Sequence, residues 1–283
     1  MIPNVLHFVF GMAKDFGGKP FSLSHYLAIK SAVEINKPEI AWFHYEYEPS
    51  GEWWQKARPL LTLNKIKAPE KFMGRPICHV AHKADVVRLL SLYETGGIYL
   101  DLDTISVRPL TPLLGYTFVI GEEFSAPYQP KNFRQKMKYY IRKKTGRLKK
   151  QAETSTGLCN AVLLSEKKSD FISRWLQEYK TFRSAGRDKY WNEHSVRIPQ
   201  QLAKDYPETV KILGPYSFHY PLYNKQGLYS MFEEVTEFPD AYLHHLWESF
   251  SWDHYLSKLT VEDILTKPTT YNLIARKYLE NIQ

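Results

Sequence analysis

A chain of 283 residues with 43% hydrophobic and 24% charged side chains can bury one sizeable core, and its balance is that of a globular protein rather than a disordered or fibrous one. Two cysteines exclude a disulfide framework, and no stretch approaches the ~20 apolar residues that cross a bilayer. The net charge of +8 is local: residues 131–150 hold ten of the 38 Lys and Arg and no acid, while the remaining 28 face 30 acids. The N-terminus lacks the basic-then-apolar pattern of a signal peptide, so a cytoplasmic protein is expected. Cys78 and Cys159 sit among apolar neighbours and are expected to be buried thiols. Aromatics reach 15%, which suits a protein that stacks sugars or bases and equally suits a core.

In chain order, Val5–Phe10 reads as an apolar strand and Ser22–Ile35 as a helix capped by Ser22 or Ser24. Ile40–Tyr47 is an aromatic-rich strand, followed by a short helix over Trp53–Leu60 and a strand at Thr62–Ile66. From His82 onward, Val87, Leu90 and Leu92-Tyr93 fall at helical spacing until Gly96-Gly97 stops the helix. The next run alternates, with Ile98, Leu100 and Leu102 on one strand face and Tyr99, Asp101 and Asp103 on the other. Phe118–Ile120 is a short strand ending at Gly121-Glu122-Glu123. Within the basic arm, Phe133, Met137, Tyr140 and Ile141 recur at three- and four-residue spacing, as in a helix with a narrow apolar stripe. Then come a strand at Asn160–Ser165, helices at Asp170–Arg183 and Glu193–Asp205, and a strand at Val210–Leu213. A tyrosine-rich patch, a strand around His245 and a helical run from Val261 to Leu279 close the chain. This βαβ rhythm predicts a single α/β domain over 1–283, a mostly parallel sheet with helices on both faces, and a basic excursion at 131–150.

In such sheets ligands bind beyond the carboxyl ends of the strands, and Asp101 and Asp103 lie at one of those ends. Two carboxylates placed so close raise each other's pKa unless a cation neutralises them. A hard divalent ion does so and keeps positions open for phosphate oxygens, so the pair reads as a metal–diphosphate site. Asp85 and Arg88, three apart on one helical face, read in isolation as a surface ion pair.

The segment from His82 to Asp103 resembles the signature of the D-x-D glycosyltransferases. That family includes yeast-type initiating mannosyltransferases, α1,4-galactosyl- and α1,4-N-acetylglucosaminyltransferases and many bacterial capsule enzymes. Ile2-Pro3-Asn4-Val5-Leu6-His7-Phe8-Val9-Phe10-Gly11 resembles its opening strand. Asn160-Ala161-Val162-Leu163 and His245-Leu246-Trp247, with Ser251-Trp252, resemble two later blocks. The resemblance implies a nucleotide-sugar-binding, GT-A-like fold and retaining transfer of a hexose from a nucleoside-diphosphate sugar to a hydroxyl of a glycan or glycolipid; UDP-sugars are the favoured donors.

It further implies roles for particular residues. Asp103, His245 and Ser251 would hold the metal, with Asp101 acting through a bound water. Phe8, Val9, Phe10, Asp85, Arg88, Tyr99, Asp101, Trp247 and Trp252 would bind the donor, and Asn160 would lie at the reacting centre beside Asp101, Asp103 and Arg88. His7 would orient rather than act as a base. An imidazole ligand favours Mn²⁺ over Mg²⁺. His244 and His254 are rival imidazoles, and Ser195-Val196-Arg197-Ile198-Pro199 stands where the family often carries a Gly-Pro pair.

Two alternatives are an aspartyl-phosphate phosphatase and a non-catalytic glycan-binding relative. The first would put its D-x-D near the start of the fold, and the second would have lost a carboxylate. The basic arm is expected to meet an anionic membrane surface. Nucleic acid is not expected as a partner, because no stacking motif or reader fold accompanies the charge.

Overall fold

A computed structural model describes residues 1–125 and 154–279, together with positions 134, 137, 140, 141 and 144. Its strands are β1 (Val5–Val9), β2 (Ile40–Tyr45), β3 (Thr62–Lys65), β4 (Lys71–Phe72), β5 (Arg75–Pro76), β6 (Gly97–Leu100), β7 (Thr104–Ser106), β8 (Phe118–Ser125), β9 (Thr154–Ser165), β10 (Lys211–Leu213) and β11 (Leu243–His245). Seven form the central sheet in the order β10-β8-β9-β6-β1-β2-β3. β1 runs parallel to β2 and β6, β2 to β3, and β8 to β10, while β9 is antiparallel to both its neighbours. The sheet is mostly parallel, as its βαβ rhythm predicts.

The chain builds outward from β1 through β2 to β3, then returns to add β6 on the other side of β1. That reversal makes β1 and β6 a topological switch point, where a crevice opens beyond the strand ends. Helix α1 (Leu23–Asn36) covers one face of the sheet. Its Leu27 and Ile29 share a core with Leu6, Phe8, Phe43, Ile98 and Leu100. The helix starts where Ser22 donates its backbone N–H to His25 Nδ1 at 3.0 Å, and it stops at Lys37 in the left-handed conformation. After a short α2 (Glu52–Ala57), α3 (Val80–Thr95) covers the other face, with Val86 and Leu89 in a second core containing Tyr99, Ile120 and Leu163. Gly97 adopts φ +119°, and a Cβ there would meet the Val5 carbonyl oxygen at 2.5 Å. The double glycine thus ends α3 and lets β6 approach β1 closely.

Several boundaries differ from the sequence expectation. β6 ends at Leu100, and Asp101-Leu102-Asp103 is a turn closed by Thr104 Oγ1, which donates to the Asp101 carbonyl at 2.8 Å. The alternation through Asp103 is therefore not that of a strand. Tyr99 does not face solvent, because both sheet faces are covered and it is 1% exposed. The helix expected over Asp170–Arg183 is α4 (Asp170–Glu178) with a 3₁₀ turn, and that over Glu193–Asp205 opens as a π turn before α5 (Ile198–Asp205). The C-terminal helical run is broken at Lys267-Pro268 into Val261–Thr266 and Thr270–Arg276, each capped by a threonine hydroxyl. Cys159 is buried as expected, but Cys78 is exposed just ahead of α3. No helix among the described residues is long and apolar enough to cross a membrane. The basic arm lies outside the described residues except at Arg134, Met137, Tyr140, Ile141 and Lys144, which are helical and exposed.

Candidate active site

The amino-terminal half of α3 points at the carboxyl end of β6. Asp85 and Arg88 share that helix face, and both are buried rather than forming the surface pair their spacing alone suggests. β9 supplies the third element. Between Ile120 and Gly121 the pairing of β8 jumps from Leu163 to Cys159, so residues 160–162 bulge out of the β8 ladder. A bulge re-aims side chains, and here it turns Asn160 toward α3. Asn160 Nδ2 donates to Asp85 Oδ1 at 2.7 Å. Arg88 Nη1 donates to the Asn160 carbonyl at 2.8 Å and pairs with Asp101 Oδ1 at 3.1 Å, while Nη2 lies 3.2 Å from Asp85 Oδ1. The guanidinium also covers the Tyr99 ring at 4.4 Å, and the Tyr99 hydroxyl donates to Asp101 Oδ1 at 2.5 Å.

Asp103 is held from the opposite side. β11 pairs antiparallel with β7 so that His245 faces Thr104, and Leu246 N–H donates to the Asp103 carbonyl at 2.6 Å. His245 Nε2 then sits 3.2 Å from Asp103 Oδ2, which also accepts the Glu248 N–H at 2.7 Å. Glu248 opens a short helix, and its positive end favours a carboxylate.

These surroundings split the two acids. Burial pushes the Asp101 carboxyl up, Arg88 opposes that, and the Asp103 charge adds to the rise. Burial also works against charged Asp103, yet His245 and the Glu248 N–H outweigh it and hold this carboxyl well below the usual range. The expectation that both acids raise each other therefore holds for Asp101 alone. His245 is disfavoured by burial as a cation, but Asp103 more than compensates and its pKa is raised.

Asp101, Asp103 and His245 each offer a ligand atom, all within 4.8 Å of one another. The protein contacts fall on Oδ1 of Asp101 and Oδ2 of Asp103, leaving the second oxygen of each outside these bonds. Two carboxylates and one imidazole fit a divalent ion of the Mn²⁺ kind.

The Arg88 fork reaches Asp85, Asp101 and Asn160 together and so positions both carboxylates. Phe8 is fully buried in the core and Val9 is buried in the second core. Phe10 is half-buried and stacks on Phe16, with His25 beside it. Trp247 donates Nε1–H to the Pro221 carbonyl at 2.7 Å and packs 4.1 Å from His245, which fixes the imidazole. Ser251 is buried and donates its hydroxyl back to the Trp247 carbonyl at 3.2 Å. His7 bonds to His44 and to the Gly96 carbonyl inside the sheet. His244 points away from Asp103, with Nδ1 3.0 Å from the Tyr220 carbonyl. Trp252 stacks on His25 at 5.9 Å with Lys19 over its ring at 5.7 Å.

Sequence reading missed the tier beside Asp103. His25 Nε2 lies 2.9 Å from Glu248 Oε1, and Lys19 Nζ lies 2.8 Å from Glu248 Oε2. These residues are separated by more than 220 positions, so no local spacing links them. The one available signal is the adjacency of Glu248 to the His245-Leu246-Trp247 block.

A family model described as the glycosyltransferase sugar-binding region containing the DXD motif matches residues 36–119. The chain is 35% identical over 287 residues to "Glucan organizing enzyme 1" of Cryptococcus neoformans, covering 99% of this chain and 71% of that protein. Among solved structures, the bifunctional glycosyltransferase WbbM is similar at a TM-score of 0.50 and 11% identity, over 99% of this chain and 50% of that one. Mouse xyloside xylosyltransferase 1 is similar at 0.46 and 15% identity, over 88% and 99%.

Proposed function

Starting from a chain that belongs to the glycosyltransferases whose sugar-binding region contains the DXD motif, and that folds as they do, we propose a metal-dependent, retaining transfer of a hexose from a UDP-sugar to a glycan or glycolipid hydroxyl. The observation that carries this reading is the convergence of Asp101, Asp103 and His245 at the carboxyl end of β6, with Arg88 tying Asp101 to Asp85 and Asn160. Asp103, His245 and a water held by Asp101 would bind Mn²⁺, with Ser251 a candidate further ligand. The ion, when bound, supplies positive charge against the departing diphosphate.

The chain's own groups do the rest. Asp85, fixed by Asn160 Nδ2 and Arg88, presents an acceptor-rich edge to donor-sugar hydroxyls. Burial raises the pKa of Asp101, and Arg88 opposes that rise, favouring the charged carboxylate that a metal needs. Trp252, stacked on His25, offers a half-buried indole face at the same mouth, suited to a base or sugar ring. Among the described residues none is assigned as nucleophile or general base, and a front-face route in which the leaving diphosphate takes the acceptor proton needs none.

The name of the Cryptococcus relative favours a glycan acceptor. A cytoplasmic setting, with residues 131–150 lying on an anionic membrane, would bring the site to a lipid-linked acceptor; exposed Met137, Tyr140 and Ile141 support that contact. The test is a screen of nucleoside-diphosphate sugars for hydrolysis and transfer with Mn²⁺, Mg²⁺ or a chelator. Turnover of a UDP-hexose that needs Mn²⁺ and keeps the anomeric configuration is expected; undiminished transfer under chelation would overturn the metal dependence.

A further inference from the structure

A second set of donor atoms sits behind the carboxylates. Cys159 Sγ and a ring nitrogen from each of His219 and His245 lie within 4.8 Å of one another, and all three residues are buried. The fold makes room for them. Cys159 pairs with Gly121 across β8 and β9, at the irregularity that also releases Asn160. A Cβ on Gly121 would come within 2.9 Å of both Cδ2 and Nε2 of His219, so the imidazole occupies space that only glycine leaves open.

The rings are also short of partners. Neither nitrogen of His219 has a hydrogen bond, although the residue is 0% exposed. His245 turns Nε2 to Asp103, and its Nδ1, on the other edge of the ring, is likewise buried without a partner. Buried polar atoms are rarely left unsatisfied, and an ion held beside the thiol would satisfy these three together.

We propose that Cys159, His219 and His245 form a second metal site, one that takes a thiophilic transition ion of the Zn²⁺ class. One thiolate and two imidazoles are soft donors that suit Zn²⁺, whereas the carboxylates of Asp101 and Asp103 suit a harder ion. Zn²⁺ adds a bond to Cys159 Sγ, His219 and His245 Nδ1. The thiol proton leaves to solvent, as does the His245 Nδ1 proton wherever that nitrogen carries one; where the Asp103 ion also holds Nε2, the second ring proton leaves to solvent too and the ring bridges as an imidazolate, and no electron is transferred. Burial, with the Glu123 charge adding to it, pushes the thiol's pKa up, so the metal-free thiol is protonated. The site's existence does not depend on the glycosyl-transfer reading; only its sharing of His245 with the Asp103 ion does.

Co²⁺ tests this directly, because a thiolate on cobalt gives a near-ultraviolet charge-transfer band that carboxylate and imidazole ligands do not. Titration of the full chain is expected to give that band at one equivalent, with Zn²⁺ displacing it. The band is expected to vanish in Cys159→Ser, fall in His219→Gln, and persist in Asp103→Asn and in Cys78→Ser, which removes the exposed thiol. No band in the wild type, a band that follows Cys78, or one that survives in Cys159→Ser would overturn the proposal. Should Cys159→Ser fail to fold, an unchanged band in His219→Gln overturns it equally. Loss of transfer activity alone moves none of these signals, so failure of the functional reading is read separately.

Discussion

Acid should unfold this protein through a pair of histidines inside its sheet. His7 on β1 and His44 on β2 stack at 5.3 Å in a line of hydrogen bonds that fixes both tautomers. His7 Nε2–H donates to the Gly96 carbonyl at 2.9 Å, so His7 Nδ1 accepts from His44 Nε2–H at 3.0 Å, and His44 Nδ1 accepts from Asn64 Nδ2 at 2.9 Å. A proton on either ring would put two N–H groups face to face. Burial lowers the pKa of His7 to about 4, against a partial lift from the Gly96 bond; burial and then the neighbouring His7 lower His44 to about 3.

The unfolded chain takes up these protons near pH 6.5, whereas the folded chain refuses them until the pH falls to those values. The stability from neutral histidines is therefore complete above about pH 6.5 and is lost as pH falls toward 4 and 3, at about 1.4 kcal/mol per pH unit for each ring. At about pH 5 each ring costs about 2 kcal/mol, and the pair about 4 kcal/mol. Urea unfolding at about pH 7.5 and pH 5 reads this out. The wild type is expected to lose about 4 kcal/mol more between the two conditions than a His7→Gln/His44→Gln variant. Equal losses would mean that the rings titrate normally and would refute the argument.

Three further outcomes follow from the site. Arg88→Lys should cut turnover about 10- to 100-fold and destabilise the fold, because an ammonium cannot reach Asp85, Asp101 and Asn160 together; full turnover would show that this bridging is not needed for transfer. His245→Ala should raise the Mn²⁺ concentration needed for half-maximal activity at least about tenfold, while His244→Ala, on the opposite strand face, should leave it within a few-fold. Equal effects would identify the wrong imidazole. Mn²⁺ binding near pH 6.5 should release a proton, because Asp103 raises the pKa of His245 and the ligand must be neutral. Calorimetry in buffers of different ionisation enthalpy measures that release, and no buffer dependence would contradict it.

Much of the site was legible in the chain because its parts are local. Asp85 and Arg88 share a helical face, the double glycine marks where α3 ends, and Asp101 and Asp103 follow an apolar strand. What the spacing hid was burial. A strand covered on both faces carries apolar residues at every position, so spacing alone could not show that Phe8 and Tyr99, named as donor-binding by resemblance, are both buried in the core. The turn at Asp101–Asp103 depends on a side-chain bond from Thr104 that no periodicity announces. Asn160 was recognised by its block, but its aim comes from a bulge set by pairing with β8. The Lys19–His25–Glu248 tier and the Cys159–His219–His245 set join segments brought together only by tertiary folding.

Transfer from the preferred sugar nucleotide, measured at saturating Mn²⁺ for wild type and Asp103→Asn side by side, tests the central claim most directly. The amide keeps the shape and can still accept the Glu248 N–H, but it loses the charge that binds metal and pairs with His245. Turnover is expected to fall by at least about a thousandfold in a protein whose circular dichroism is unchanged, removal of a metal's charge stabilisation being worth several kcal/mol. Turnover within a few-fold of wild type would contradict the assignment of this site.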